Sequence, residues 1–255
     1  MSRKARQKSS TNTYHVVIKG ADRQLLFEDV KDYKKYLEIL EYYKQECGFE
    51  LYAYCLMSNH VHLLIHTTGC SLESVFRHIN TSYAMWFNMK YQRTGFLQQG
   101  RYYSEPVEDA RYLFTVIQYI HQNPYRAGLE KTVGTSYPWS SFHDYKIQYS
   151  TLLNLDPVFH LLGSRKEFLA MHDNVTDVPC LDIDNFKKRL PDDVAKDIIY
   201  QECHCSTVSE FQQLSFSERN LSICSLHEKG LSIRQLNRLT GTSRGVIERI
   251  VTKHR

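Results

Sequence analysis

The sequence predicts an α+β fold in which a ferredoxin-like antiparallel sheet with flanking helices precedes a C-terminal all-α region. Three observations predict it. Strand and helix patterns follow one another as β-α-β-β-α-β-α up to residue 123, which is the split βαβ order with one additional helix. Only Ser58 and Asn59 separate the second and third strand patterns, as in a tight hairpin. Beyond residue 210, glycines divide the chain into short helical segments.

Four segments have the alternation or the β-branched and aromatic content that is typical of strands. They are residues 13–20, 49–57, 60–66 and 100–107. The first segment alternates and ends at Gly20. The second and third form the predicted hairpin, so we expect them to be antiparallel neighbours in the sheet.

Three segments have apolar side chains at helical spacing. They are residues 29–48, 71–93 and 109–123. Gly48 can end the first helix, and Ser71 and Asp109 can cap the N-termini of the second and third. Because proline lacks a backbone N–H and disfavours a helical residue before it, we expect the third helix to stop at Pro124.

Composition limits the class of protein. The chain has 255 residues, of which 42% are hydrophobic, so it can bury a core without crosslinks. No apolar run approaches the roughly 18 residues of a membrane span. No apolar segment follows the basic start "MSRKARQKSS", so we expect neither membrane insertion nor export. Seven scattered cysteines indicate reduced thiols in a cytoplasmic protein.

Positive charge is concentrated at the two ends of the chain. Residues 1–8 carry four basic and no acidic side chains, and residues 219–255 carry eight basic and two acidic ones, although the net charge is only +4. Such ends indicate contact with a polyanion, and the alternative is that they are merely solvated. The expected domains are a basic tail at 1–13, a main domain at 14–145, a helical connector at 146–210 and a helix-turn-helix region at 211–255.

The C-terminal segments have the pattern of a helix-turn-helix. They read "SERNLSICSLHEKG", "LSIRQLNRLTG" and "TSRGVIERIVTKH". Gly230 and Gly241 separate them, and Ser232 and Ser243 can cap the second and third helices. A short helix, a glycine-containing turn and a basic helix are typical of DNA-binding proteins. A plain three-helix bundle is the alternative.

The strand "HVHLLIH" at 60–66 carries three histidines on one face. Since strand side chains alternate, the odd positions belong to the core, and His60, His62 and His66 share the other face. The first two are adjacent, so their imidazoles can converge on one metal ion. His66 lies farther along and is either structural or a weak DNA contact. The alternative for all three is a half-exposed strand whose histidines are hydrogen-bonded.

The helix at 109–123 supplies two more candidate residues. Tyr119 and Asn123 are four residues apart, hence about 40° apart around the helix. They lie beside the buried stripe, which consists of Leu113, Val116, Ile117 and Ile120. A hydroxyl and an amide oxygen can thus face one site at the border between packing and solvent. The alternatives are a packing aromatic and a residue that ends a helix.

Several segments together resemble a known family. They are "YHVVIKGADRQLLF", "AYCLMSNHVHLLIH", "FLQQGRYYSEPV", "YIHQNPYRAGL" and "YPWSSF". The combination is similar to the single-tyrosine HUH transposases, most closely the REP-associated tyrosine transposases, over roughly residues 14–145. Longer relatives carry a C-terminal helix-turn-helix, which the end of this chain resembles. One departure is Tyr125, where relatives often have a small or β-branched residue.

The resemblance implies a catalytic domain at 14–145 with the HUH transposase fold. It implies that Tyr119 is the nucleophile and that His60, His62 and Asn123 bind a divalent metal ion, Mg²⁺ or Mn²⁺. Members of the family cut single-stranded DNA beside hairpins through a covalent 5′-phosphotyrosine intermediate and then rejoin strands. The link keeps the bond energy, so no ATP is expected.

The expected partners are single-stranded and hairpin DNA, with duplex DNA at the C-terminal helices and no membrane. The candidate DNA-binding residues are all basic: Arg3, Lys4, Arg6, Lys8, Arg101, Arg126, Arg234, Arg244, Arg249 and Lys253. Such residues contribute affinity and salt dependence more than sequence reading. The protein is expected to be a monomer or a homodimer.

Two other functions remain open on the sequence alone. The first is a domesticated protein that binds hairpin DNA or regulates expression without strand transfer. The second is a metal hydrolase in which His60 and His62 activate water and Tyr119 has no part.

Overall fold

The strands form one antiparallel sheet in the order β2-β3-β1-β4, which is the ferredoxin-like arrangement. Numbered along the chain, they are β1 (Thr13–Lys19), β2 (Phe49–Met57), β3 (His60–Thr67) and β4 (Tyr103–Pro106). The computed structural model describes residues 6–21, 24–173, 175, 180–181 and 192–253. The strand order and the flanking helices confirm the predicted fold class.

The chain divides into two compact units, Met1–Asp184 and Asn185–Arg255. The helices of the first unit are α1 (Val30–Cys47), α2 (Leu72–Lys90), α3 (Ala110–Arg126), α4 (Phe142–Ile147), α5 (Asp156–Leu162) and α6 (Arg165–His172). The predicted caps are confirmed: Gly48 ends α1 in the left-handed region at φ 61°, Ser71 accepts from Ser74 N, and Asp109 accepts from Tyr112 N.

Both faces of β3 are buried. Residues 60–65 are all buried, and the odd-numbered apolar side chains join the core as predicted. The histidine face lies beside α3, whose Tyr119 ring centroid is 5.7 Å from that of His62. The alternative of a half-exposed strand is therefore wrong for this segment.

The third helix corrects one prediction. α3 continues to Arg126 and contains Pro124, which we expected to end it. The proline has no N–H and so leaves the Ile120 carbonyl, four residues earlier, without its helical donor. The Asn123 side chain supplies one, because its Nδ2 donates to Tyr119 O at 2.8 Å and to Ile120 O at 3.4 Å. The helix passes the proline, and the Asn123 amide is held against it.

Residues 137–145 close the open edge of the sheet beside β2. Cys55 and Ser140 form an isolated antiparallel bridge, and Leu56 N donates to Trp139 O at 2.9 Å. The fully buried Phe168 of α6 joins the same core. The predicted connector at 146–210 is thus divided, since its first helices belong to the first unit and its last ones to the second.

A buried chain of polar groups joins α3 to α6 and to the segment that closes the sheet. His121 Nδ1 is 3.0 Å from His172 Nε2, and His121 Nε2 is 2.8 Å from Ser141 Oγ. His172 Nδ1 is 2.8 Å from Phe168 O, to which only an N–H can donate. Burial lowers the pKa of His172 to about 4. Burial, and then the charge of His172, lower the pKa of His121 well below its ordinary value.

The second unit contains helices only within its described residues. They are α7 (Asp192–Cys203), α8 (Val208–Gln213), α9 (Phe216–Glu228), α10 (Ile233–Thr240) and α11 (Arg244–Lys253). Their core includes Phe211, Ile223, Leu226, Leu236 and Ile247. Ser232 caps α10 and Gly241 ends it at φ 70°. The all-α C-terminal region is confirmed.

Two findings bear on the compositional predictions. All seven cysteines are free thiols. None of the helices in the described part of the chain has the length and apolarity needed to cross a bilayer.

One buried carboxylate links α1 to α2. Asp32 is inaccessible, and its oxygens lie 2.5 Å from Lys90 Nζ and 2.8 Å from Tyr91 Oη. The backbone N–H groups of Glu28 and Asp29 donate to it at 2.6 and 3.0 Å. Four groups thus donate to a carboxylate that is removed from solvent, and Lys90 supplies the positive charge beside it.

Replacing that lysine is expected to destabilise the protein strongly. Lys90→Met leaves Asp32 buried without its cation, and the free energy of unfolding is expected to fall by about 3–5 kcal/mol. Urea denaturation of the full chain measures it. The control is Lys35→Met, because Lys35 pairs with Glu38 in an exposed ion pair that contributes at most about 0.5 kcal/mol. Equal losses in the two variants would contradict the argument.

Stability is expected to fall in mild acid. The pKa of His172 is about 4 in the folded protein and about 6.5 when unfolded. The unfolded chain therefore binds more protons between these values, and stability is lost as the pH falls from about 6.5 to about 4. The change is ~3 kcal/mol for this group alone. Urea titrations at several pH values measure the loss. It is expected to shrink in His172→Gln but not in His160→Gln, whose ring is exposed.

Candidate active site

β3 presents two adjacent imidazoles on its buried histidine face. The ring centroids of His60 and His62 are 5.0 Å apart with their planes at 84°, and the two residues are only 5% and 3% exposed. His60 Nδ1 lies 2.8 Å from Asn59 Oδ1, and a carbonyl oxygen there requires an N–H. The neutral His60 then carries its lone pair on Nε2. The alternation of β3 predicted this adjacency correctly.

A third imidazole, from β1, completes the cluster. His15 is fully buried, its Nε2 is 3.1 Å from His62 Nδ1, and the two rings stack with centroids 5.3 Å apart. The antiparallel register brings it there, because Val17 pairs with His62 and His15 pairs with the next residue on the same face, Leu64. Sequence reasoning missed His15. The alternation of β1 was visible, but its register with β3 was not.

Two imidazoles of the cluster, those of His15 and His62, are neutral at ordinary pH. Burial lowers the pKa of His15 to about 3. Burial, followed by the charges of His60, His15 and Lys19, lowers the pKa of His62 well below its usual value. Neutral imidazole is the form that binds a metal ion.

α3 adds the predicted tyrosine. The Tyr119 ring centroid is 5.7 Å from that of His62 and 5.9 Å from that of His15, with edge-to-face geometry in both cases. The side chain is 4% exposed, so it lies deeper than the border position that helical spacing indicated. The reason is that residues 137–145 and α6 pack around α3 in addition to the sheet.

The side chains of His60, His62 and Asn123 have donor atoms of the kinds that bind divalent cations. Within the described ranges, no group of three or more His, Cys, Asp or Glu side chains is arranged to hold a metal ion, but the predicted set has two imidazoles and an amide. The Nδ1 atoms of His60 and His62 are engaged by Asn59 and His15. Their Nε2 atoms would then be the ones to bind an ion, with the outer contacts fixing ring orientation, as is usual around metals. The Asn123 amide nitrogen bonds to the helix, which leaves Oδ1 for a ligand.

The candidate DNA-binding residues of the first unit differ in their surroundings. Arg126 is exposed, and its guanidinium carbon lies 5.4 Å from the Tyr119 ring centroid. Lys8 and Arg101 are exposed. Arg6 is half-buried, with its guanidinium 3.8 Å above the Tyr102 ring. Arg3 and Lys4, which are also predicted to contact DNA, lie outside the described residues.

The basic residues of the second unit lie on its last two helices. Arg244 and Arg249 of α11 are exposed, and Arg234 of α10 is half-buried. Lys253 is the last residue of α11, and its side chain is outside the described part of the structure. His66, in the first unit, bonds to Thr13 Oγ1 at 3.1 Å and does not take part in the histidine cluster.

The chain is similar to known transposases. Residues 8–123 match the family model described as "Transposase IS200 like". No curated protein sequence matches the chain. The structure of a REP-associated tyrosine transposase bound to a REP hairpin matches with a TM-score of 0.52 and 16% identity, covering 75% of this chain and 98% of the other. The crystal structure of a "putative transposase" from Deinococcus radiodurans R1 has a TM-score of 0.32 and 23% identity, covering 47% of this chain and 95% of the other.

The structural likeness to the REP-associated enzyme shows the shared fold. The family match contains the histidine pair of β3 and, at its C-terminal end, Tyr119 and Asn123. Residues 8–123 of this chain therefore resemble the IS200-like transposases.

Proposed function

We propose that the protein is a metal-dependent single-stranded DNA endonuclease and strand transferase that acts at DNA hairpins. The observation that carries the proposal is the contact of the Tyr119 ring with the imidazole of His62, which lies next to His60 on β3. Tyr119 is the nucleophile in this proposal, and His60, His62 and Asn123 hold the cation. The match of residues 8–123 to the IS200-like transposases supports it.

The proposed reaction exchanges one phosphate ester for another. The Tyr119 oxygen attacks the scissile phosphorus, a P–O bond to tyrosine forms, and the P–O3′ bond breaks. The tyrosine proton leaves as the bond forms, and the departing 3′ oxygen takes up a proton. The product is a 5′-phosphotyrosine link, and attack by a 3′ hydroxyl reverses the exchange and releases the tyrosine. Bond energy is kept throughout, so no ATP is required.

The side chains around Tyr119 suit this chemistry. A bound Mg²⁺ or Mn²⁺ would polarise a non-bridging phosphate oxygen. Because His60, His62 and Asn123 are neutral ligands, they leave the ion its full charge for the phosphate. Arg126 lies over the tyrosine ring, where its cation can stabilise the phenolate and contact the phosphate.

Loss of the tyrosine hydroxyl is expected to abolish the covalent intermediate. Wild-type protein incubated with labelled single-stranded hairpin DNA and Mn²⁺ is expected to give an adduct that survives denaturant. Tyr119→Phe removes only the nucleophilic oxygen, and the adduct is expected to disappear. The control is Tyr125→Phe on the same helix, whose ring is 37% exposed and whose loss is expected to leave the adduct.

The same assay separates the other candidate functions. Tight hairpin binding with no adduct from wild type supports a binding or regulatory protein without strand transfer, a candidate that the burial of Tyr119 favours. Cleavage that survives Tyr119→Phe supports a metal hydrolase. Either result contradicts the proposed strand transferase.

The proposed partners are hairpin DNA at the first unit and duplex DNA at the second. The solved REP-associated transposase is bound to a hairpin, and this chain shares its fold. In the second unit, a three-residue link that begins at Gly241 joins α10 to α11. The exposed Arg244 and Arg249 on α11 suit a helix-turn-helix that contacts phosphates. A cytoplasmic location, in keeping with the seven free thiols, is part of the proposal.

Removing one arginine of α11 is expected to weaken duplex binding at every sequence. Arg244→Ala deletes one phosphate contact, so the slope of log affinity against log salt is expected to fall by about 0.9. Fluorescence anisotropy with duplex DNA over a salt series measures it. The control is Lys229→Ala, because that lysine pairs with Glu202. An equal loss of slope in both variants contradicts a role specific to α11.

A further inference from the structure

Two buried polar atoms face each other across β1 and β4 without hydrogen-bond partners. His15 of β1 and Glu105 of β4 are direct antiparallel partners, so their side chains leave the sheet on the same face with Cβ atoms about 5 Å apart. Among the described residues, His15 Nδ1 and Glu105 Oε2 are both buried without a hydrogen-bond partner, and so is the hydroxyl of Tyr112, which lies beside Glu105 on α3. A buried donor or acceptor without a partner is destabilising, so these atoms on one sheet face need an explanation.

The bond between His15 and His62 allows two arrangements of protons. Either His15 Nε2–H donates to His62 Nδ1, or His62 Nδ1–H donates to His15 Nε2. In the first arrangement His62 carries its proton on Nε2 and cannot bind a cation there. In the second, His62 Nε2 has a free lone pair. His15 then carries its own proton on Nδ1, the atom that lacks a partner.

The position of Glu105 favours the second arrangement. A carboxylate accepts hydrogen bonds and donates none, so it stabilises a proton on His15 Nδ1. The carboxylate lies under α3, since burial and then the neighbouring Glu105 raise the pKa of Tyr112 on that helix. It is therefore on the sheet face that carries the histidine cluster.

We propose that Glu105, His15 and His62 form a carboxylate–imidazole–imidazole chain that presents the Nε2 atom of His62 to the divalent cation. His15 and Glu105 are positioning residues in this chain, since they act only through His62. The inference rests on the proposed function for the identity of the ion. The proton arrangement itself is a property of the metal-free protein.

Two measurements test the chain without using activity. Nitrogen-15 NMR of the full-length metal-free protein reads which imidazole nitrogens of His15 and His62 are protonated, and Mn²⁺ affinity is measured by electron paramagnetic resonance. In wild type, both protons are expected on Nδ1. In Glu105→Leu and in His15→Phe, Mn²⁺ affinity is expected to fall 10–100-fold, as for other outer partners of metal ligands.

Conservative and matched variants exclude a general effect on packing. Glu105→Gln keeps an acceptor oxygen, and His15→Gln keeps one near the position of Nε2, so both are expected to recover most of the affinity. The controls are His66→Gln, on the same strand face but bonded to Thr13, and Glu50→Gln, whose carboxylate accepts from Tyr52. Both controls are expected to bind Mn²⁺ like wild type.

The outcomes are separable from those of the proposed function. A wild-type His62 protonated on Nε2, wild-type protein that binds no Mn²⁺, or affinity unchanged in both Glu105→Leu and His15→Phe overturns the chain. An effect of His15→Phe without one of Glu105→Leu overturns the role of the carboxylate. If the protons lie as proposed and hairpin DNA is not cleaved, the enzymatic proposal fails while the chain stands.

Discussion

The pairing of β1 with β3 is the constraint on which the candidate site depends. In that register Val17 lies opposite His62 and Lys19 opposite His60, which brings His15 within hydrogen-bonding distance of His62. Because strand side chains alternate, a slip of one residue would turn His15 to the opposite face and end this contact. Both faces of β1 and β3 are buried, so such a slip would also place every apolar side chain of β1 in the packing of the wrong face. Hydrophobic packing on the two faces of the sheet therefore holds the imidazoles in place.

α3 packs on the same face of the sheet, and its proline fixes the side chain of a second candidate site residue. Pro124 deprives the Ile120 carbonyl of its backbone donor, and the Asn123 amide bonds to that carbonyl and to Tyr119 O. A proline that would ordinarily end or kink a helix here selects the rotamer of the residue before it. The amide oxygen of Asn123 is consequently fixed relative to the tyrosine one turn earlier, and α3 positions both groups as one rigid element.

The parts of this structure that the sequence predicted are those determined by local physics. The two-residue period of β3 predicted the adjacency of His60 and His62, and helical spacing with the Asp109 cap predicted α3. The parts it missed depend on contacts between distant segments. His15 meets His62 across 47 positions of sequence, and His121 meets His172 across 51. No local sequence pattern shows which residues of two strands pair, or where one helix packs on another. The burial of Tyr119 was underestimated for the same reason, since the segments that cover α3 follow it in the chain.

The electrostatics of the histidine cluster follow from its burial and bear on how it would take up an ion. Three imidazoles this close would repel one another if protonated, and burial keeps His15 and His62 neutral. A cation that enters the proposed site would thus meet no positive charge on His15 or His62, and neither ring would have to lose an extra proton first. Lys19, which lowers the pKa of His62, and Arg126, over the tyrosine ring, add positive charge beside these groups. Such charge suits a phosphodiester, whose negative charge has to be offset on more than one side as a nucleophile approaches. Buried neutral imidazoles with cations beside them therefore favour the proposed binding of a metal ion together with a phosphate over that of a metal ion alone.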